Sequence, residues 1–366
     1  MNKKLIIMNH HVDDYECMWN GIEDIYRQKS GEELPPGFFF CLSGIGKFIY
    51  LKNKNMSPKR RAAWGDGRTK KMYQSISDIV GFHYRYIEGK TFSYTLKKAK
   101  EQIDMDKPVI LGCLDMYYLN YYPKLYHKAH IPIHYVMMVG YDDEKQCVYI
   151  QDNGIAEVQE ISYEVMQMAL NIEKTSLSDK NTICCIEFEK TVKSIIEIAK
   201  EAFYRKAKFV LDAPAGFVGI RGMYKFAEEF PKWKEELSPK EYEEALTNMV
   251  MFSGTVPQLP SRLCGIEESE KIYYMAWREK IAVVLNMLGG KYKIKEWEIA
   301  AGLFIKSGKV IEDIVNQIVD YLLGERENLI DIPILMNEIA KIEEAAYTHM
   351  LIGAEGGQIS YGKNGL

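Results

Sequence analysis

Residues 134–152 read His134-Tyr-Val-Met-Met-Val-Gly-Tyr-Asp-Asp-Glu-Lys-Gln-Cys-Val-Tyr-Ile-Gln-Asp152, and their pattern decides the fold of the N-terminal half. Two apolar runs, 134–141 and 147–152, flank the Asp142-Asp-Glu-Lys145 turn, and Asn153-Gly154 closes the second run. This is the signature of a β-hairpin. A turn centred on Asp143-Glu144 sets His134 opposite Asp152 or Asn153. Facing Cβ atoms in such a ladder lie ~5 Å apart. An imidazole at the start of one strand can therefore touch a carboxylate at the end of the next.

Working outward, Pro108-Val-Ile-Leu-Gly-Cys-Leu-Asp115 predicts a buried strand that ends on a carboxylate, followed by the aromatic loop Met116-Tyr-Tyr-Leu-Asn-Tyr-Tyr-Pro123. Asp115 there either caps the turn or holds a cationic amine. Residues 92–103 carry apolar positions at helical spacing. Residues 52–72 are polar and basic, and Lys59-Arg60-Arg61 reads as a solvated loop. Gly44 and Gly46 interrupt an aromatic segment at 37–50 and mark a turn or a close backbone approach. The Gly-Lys-Ser/Thr of a phosphate loop is missing.

Further upstream, Asn9-His-His-Val-Asp-Asp-Tyr-Glu-Cys17 leads into a helix predicted from Cys17 to about Gln28, ended by Ser30-Gly31. A thiol at a helix N-terminus feels the positive end of the helix dipole, which favours thiolate. His11 stands six residues before this cysteine; His10 reads as a surface neighbour. From about residue 191 helical periodicity takes over, at 191–211, 219–230, 238–251, 267–288, 294–306, 309–323 and 332–352. Pro257-Gln-Leu-Pro260 and Gly289-Gly290 are expected to separate helices. The reading is thus α+β, with a domain over 1–190 and a mainly α-helical domain over 191–366.

Composition narrows the function. Of 366 residues, 47% are hydrophobic and 27% charged, and the net charge of −4 gives no global attraction to nucleic acid or anionic membrane. No stretch approaches the ~18 consecutive apolar residues of a membrane span. The apolar run after Lys3-Lys4 is too short for a signal peptide, so a cytoplasmic location is expected. Seven cysteines, an odd number without a Cys-x-x-Cys, fit reduced thiols. Cys184-Cys185 reads as core strand and Arg262 as a surface-loop arginine. His127, His130 and His134 share no helix because Pro132 intervenes, and no zinc pattern appears, so no metal or cofactor is expected.

A cysteine nucleophile needs a general base and a group that orients the base. Cys17, His134 and Asp152 supply these in the chain order of papain-like cysteine enzymes. That group places an oxyanion donor six residues before the cysteine, here His11, joined by the Cys17 backbone N–H. The resemblance extends to one branch. His11-x5-Cys17, Gly44-Ile-Gly46, Asp115-x-Tyr-Tyr-Leu119 and His134…Val-Gly140-Tyr-Asp142…Asp152 resemble the N-terminal domain of the butirosin biosynthesis protein H family. The helical half is similar to the domain of unknown function that often follows it.

The resemblance implies a papain-like catalytic domain that moves an acyl group from a carrier-protein thioester to a small-molecule amine. Cys17, His134 and Asp152 would be the triad, and Asp115 and Tyr117 would contact substrate. The family's Tyr-Tyr-Leu usually continues with proline; Asn120 follows here. Two alternatives stay open at this level. A cysteine amidase or peptidase would share the first half-reaction, with water resolving the acyl-enzyme. A small-molecule binding protein on the same scaffold would leave the thiol unused. The oligomeric state is not readable from the sequence.

Overall fold

The computed structural model describes residues 2–13, 16–65, 67–175, 177–254, 259–265 and 273–356. Among them run nine strands: β1 (Lys3–Leu5), β2 (Phe48–Lys52), β3 (Arg60–Trp64), β4 (Phe82–Ile87), β5 (Val109–Leu114), β6 (His134–Asp142), β7 (Cys147–Asp152), β8 (Ile155–Ser162) and β9 (Ile183–Phe188). The longer helices are α1 (Cys17–Ser30), α2 (Phe92–Asp104), α3 (Tyr163–Leu170), α4 (Ile195–Leu211), α5 (Gly219–Glu229), α6 (Pro239–Met251), α7 (Arg278–Tyr292), α8 (Lys295–Leu322) and α9 (Ile332–Glu355). The class is α+β, and every strand pair is antiparallel. No helix among the described residues is long and apolar enough to cross a membrane.

The chain forms two compact units, 1–40 with 68–195 and 41–67 with 196–366. This corrects the expected division into 1–190 and 191–366. Residues 41–67 belong with the helical part, so the backbone passes between units three times. The cause lies in β2 and β3, which pair with each other from Phe48↔Trp64 to Lys52↔Arg60. Their buried aromatics pack on helical partners: Tyr50 stacks on Trp233, and Phe48 meets Phe226 edge-on. The basic triplet is likewise no solvated loop. Arg60 lies in β3, buried, and pairs with Glu236 at 2.5 Å.

The first unit is built on a sheet in the order β4-β9-β5-β6-β7-β8, with β1 also paired to β6. β5, β6 and β7 are almost wholly buried, hence their continuous apolar runs. The hairpin runs one position off its expected register where Met137 faces Gln151, and two positions off on the turn side, where Asp142 faces Cys147, because a bulge falls between Met138 and Gly140. α1 lies against this sheet with Met18, Trp19, Ile22 and Tyr26 buried. Gly21 permits the approach, since a Cβ there would stand 2.7 Å from Ile110 Cδ1 and 3.0 Å from Met137 Cβ. Gly31, at φ 71°, ends the helix in the left-handed conformation that glycine adopts without strain.

In the helical unit, two expected breaks are absent. Residues 295–322 form one helix rather than two, passing straight through Ser307-Gly308. Here glycine answers to packing: a Cβ on Gly308 would lie 2.8 Å from Met275 Cε and 3.1 Å from Arg278 Cβ. Gly289-Gly290 sits inside α7 for a similar reason, with Gly289 against Glu298 and the Ile294 carbonyl. Of the expected helix at 267–288, residues 267–272 lie outside the described residues, as do Pro257 and Gln258.

At the centre of this unit Arg278 and Glu343, both wholly buried, form a two-pronged ion pair at 2.7 Å per bond. Ser307 Oγ donates to Glu343 at 2.6 Å, and Arg278 also donates to the Ala276 carbonyl. Removing one partner of such a pair leaves an uncompensated buried charge. Glu343→Gln is therefore expected to lower the unfolding free energy by about 3–5 kcal/mol, and Arg278→Met/Glu343→Met to recover part of it. Denaturant titration checks this; a single-variant loss below about 1 kcal/mol would contradict the assignment of the pair.

Candidate active site

Three element termini meet at one end of the sheet of the first unit. Cys17 is the first residue of α1, His134 the first of β6 and Asp152 the last of β7. His134 is 5% exposed and Asp152 is fully buried, so their polar atoms must be satisfied within the protein. His134 Nε2 hydrogen-bonds both Asp152 oxygens, at 2.8 and 3.0 Å. The Cys17 thiol is hydrogen-bonded to His134 as well. With Nε2 given to the carboxylate, Nδ1 is the nitrogen left for the sulfur. The one-position register offset does not separate His134 from Asp152, because the two side chains meet beyond the last paired residues of the ladder.

The electrostatics favour a charged pair. Burial alone would raise the thiol pKa, but His134, the Arg68 guanidinium and a hydrogen bond from the Tyr135 backbone outweigh it and hold Cys17 below the ordinary thiol value. Burial pulls His134 down, whereas Asp152 and Cys17 push it up more strongly, so the imidazolium is stabilised. Asp152 stays below the usual carboxylate range. Burial works against it, and His134, Tyr121 and Tyr122 more than compensate. Thiolate, imidazolium and carboxylate thus stabilise one another in series.

Tyr121 and Tyr122 were not singled out from the sequence. Tyr121 OH donates to Asp152 Oδ2 at 2.7 Å, and Tyr122 OH donates to Oδ1 at 3.0 Å. Their signal was present in a second Tyr-Tyr pair within an aromatic loop next to a buried acid. Nothing local indicated which acid they would reach.

Both substrate-contact candidates of this loop have structural partners, and Asp115 takes the turn-capping alternative. Asp115 is occupied structurally: it accepts from the backbones of Tyr117 and Ile131 at 3.1 and 2.9 Å and pairs with His130 at 2.6 Å. It staples the two ends of the 115–131 loop. Tyr117 stacks on His130 with ring centres 4.0 Å apart, within the same staple.

His11 differs further from its expected role. Its Nδ1 meets Asp24 at 2.5 Å and its Nε2 meets Glu23 at 3.1 Å. Both ring nitrogens are taken by carboxylates of α1, so no donor remains for an oxyanion. Burial would lower the His11 pKa, but the two carboxylates raise it to about 10. His10 is no surface neighbour. Its side chain is buried, with Nδ1 on Asp24 at 2.6 Å and Nε2 donating to the Asp152 carbonyl at 2.9 Å. One imidazole therefore ties α1, which carries Cys17, to β7, which carries Asp152.

Among the described residues no cluster of His, Cys, Asp and Glu is arranged to hold a metal ion. None of the seven cysteines forms a disulfide. Arg262, in the helical unit, is paired with Asp320 and Glu325.

Comparison with known families gives two matches. Residues 16–153 match the family model described as butirosin biosynthesis protein H, N-terminal. Residues 166–255 match that of a domain of unknown function (DUF4872). The first match opens beside Cys17 and closes beside Asp152, and so contains all three meeting residues but not His11. None of the curated proteins matches the chain.

The His11 arrangement makes a testable claim. His11→Ala leaves Glu23 and Asp24 buried without their partner, an expected loss of about 3 kcal/mol. The His11 pKa is higher folded than unfolded, so its stabilisation is full below pH 6.5 and is lost as pH rises toward about 10. The difference in stability between parent and His11→Ala should shrink over that window. Acylation of Cys17 per folded molecule should change less than about threefold. A fall of about 100-fold would reinstate His11 as an oxyanion donor.

Proposed function

Because the chain belongs to the butirosin biosynthesis protein H-like family, with that family's N-terminal domain followed by a domain of unknown function, we propose that it is a biosynthetic enzyme. Its reaction in this reading is cysteine-dependent acyl transfer. The observation that carries the reading is the divided imidazole: His134 holds Asp152 through Nε2 and pairs with Cys17 through its other face. The helix-borne cysteine, strand-borne histidine and acid on the adjacent strand follow the papain-like arrangement. The donor is an acyl thioester, of the kind a carrier protein presents, and the acceptor is a small-molecule amine.

The thiolate of Cys17 attacks the thioester carbonyl and forms a tetrahedral oxyanion. The Cys17 N–H supplies a donor, since the first amide of a helix has no partner within it, whereas the Trp19 and Asn20 N–H groups are given to the Glu16 carbonyl. Collapse breaks the donor's C–S bond. The imidazolium of His134 gives its proton to the departing thiolate and leaves an acyl-Cys17 with a neutral His134. The amine then attacks the acyl carbon. His134 takes its proton, the acyl–sulfur bond breaks, and the thiolate–imidazolium pair is restored with an amide as product. Asp152 remains ionised throughout and fixes the imidazole's tautomer and direction.

Intact-mass spectrometry after exposure to a panel of acyl thioesters tests the reading. The parent is expected to gain one acyl mass that Cys17→Ala does not, and amines should discharge the adduct faster than buffer alone. Asp152→Asn should retain the adduct site but form it at least ~100-fold more slowly. An adduct that survives Cys17→Ala sinks the nucleophile assignment, and discharge by water alone reassigns the enzyme as a hydrolase.

A further inference from the structure

Two phenol hydroxyls converge on a carboxylate that already serves the imidazole. Asp152 is fully buried, and each of its oxygens accepts from one tyrosine as well as from His134 Nε2. The two rings lean on each other with centres 4.9 Å apart, and the Tyr122 ring meets His134 edge-on at 5.5 Å. Orienting an imidazole needs one acceptor oxygen. Two extra neutral donors draw charge from the carboxylate on the side away from the reaction.

We propose that Tyr121 and Tyr122 are positioning residues that act through Asp152, setting how firmly the Asp152–His134 pair retains its proton. The chemistry follows from competition at one acceptor. A carboxylate that receives more hydrogen bonds is a weaker base, and it attracts the imidazolium proton less. A bare buried carboxylate would hold His134 as imidazolium so firmly that it would resist protonating the departing thiolate. The phenols moderate that hold. They keep Asp152 ionised and in place, yet let His134 release its proton when the tetrahedral intermediate collapses. Loop 115–131 presents them from a fixed base, since Asp115 binds both of its ends.

The other groups around the relay do not duplicate this effect. Facing Asp152 are His134, the two phenols and, at the backbone carbonyl, His10. Facing Cys17 are His134 and Arg68, with the Cys113 thiol, Tyr73 and Tyr135 in electrostatic reach. None of the latter group donates to Asp152 among the described residues.

The inference rests on the acyl-transfer reading, and the experiment separates the two. The pH dependence of Cys17 alkylation by iodoacetamide is followed from pH 4 to 11 in the parent, Tyr121→Phe and Tyr122→Phe. Each phenylalanine keeps the ring and leaves the other phenol on the carboxylate, and thermal melts check folding. In the parent a rapid-alkylation plateau that begins well below the ordinary thiol pKa reports the thiolate–imidazolium pair; without it, the triad reading itself fails.

Given that plateau, each variant is expected to move the alkaline limb, where His134 loses its proton, upward by about 0.5 pH unit or more. Acyl-transfer turnover at pH 7 should fall roughly threefold to tenfold. The same substitutions on Asp152→Asn should leave the limb where it is. Variants that lose stability while their profiles superimpose on the parent's overturn the inference and leave the triad standing. A downward shift overturns it too.

Discussion

A carboxylate with no access to water is the constraint around which the first unit is arranged. Asp152 ends β7 fully buried, and a charge there is tolerated only if donors replace its hydration shell. Three side chains do so, His134 from β6 and Tyr121 and Tyr122 from the loop before it, while His10 donates to the backbone carbonyl of the same residue. They come from three parts of the chain. Hydrogen bonds to this one residue therefore tie the N-terminal segment, the 115–131 loop and two strands together. The thiol joins the same network through His134, so the charge state of Cys17 is coupled to a carboxylate it does not touch.

A second buried acidic pair repeats the logic on α1. Glu23 and Asp24 are both buried on a helix that otherwise presents Met18, Trp19, Ile22 and Tyr26 to its surroundings. His11 bridges the two, His10 takes the remaining Asp24 oxygen, and the Phe39 N–H donates to Glu23 at 2.6 Å. Consecutive histidines thus have distinct tasks. One closes the charges within the helix, and the other connects those charges to Asp152.

Much of this was legible in the sequence where a local pattern met a simple geometry. The hairpin, the helix-start cysteine and the His134–Asp152 contact followed from alternation, capping and the closeness of facing strands. The register did not, because the bulge near Gly140 depends on β1. A side chain at Gly140 would collide with the Lys4 carbonyl, and no pattern within 134–152 announces that neighbour. His10 and His11 were misread for a similar reason: their partners lie thirteen or so residues away on a helix face. The clue was Glu23-Asp24 interrupting an apolar stripe. In the helical unit Ser307-Gly308 resembled a break because glycine weakens helices, whereas close packing against Met275 and Arg278 requires the small residue. The placement of 41–67 needed knowledge of β2–β3 pairing, which a basic Lys59-Arg60-Arg61 run concealed.

A cysteine at the first residue of a helix is inherently hard to hold in place, since helix ends fray and the first amides have no partner within the helix. Here α1 is held from several sides within two turns of Cys17. Tyr73 OH donates to the Met18 carbonyl at 3.0 Å, and the Trp19 ring meets Tyr73 edge-on. Gly21 seats the helix on Ile110 and Met137, and Asn20 Nδ2 donates to the His11 carbonyl at 2.9 Å. Farther along, Glu23 and Asp24 are pinned as described. Because successive helical residues are rotated by about 100°, anchors on several faces fix the rotation of the helix as well as its position. The thiol's direction toward His134 is therefore set by packing behind it. Positioning of that kind holds Cys17 against His134 although it stands at the very end of its helix.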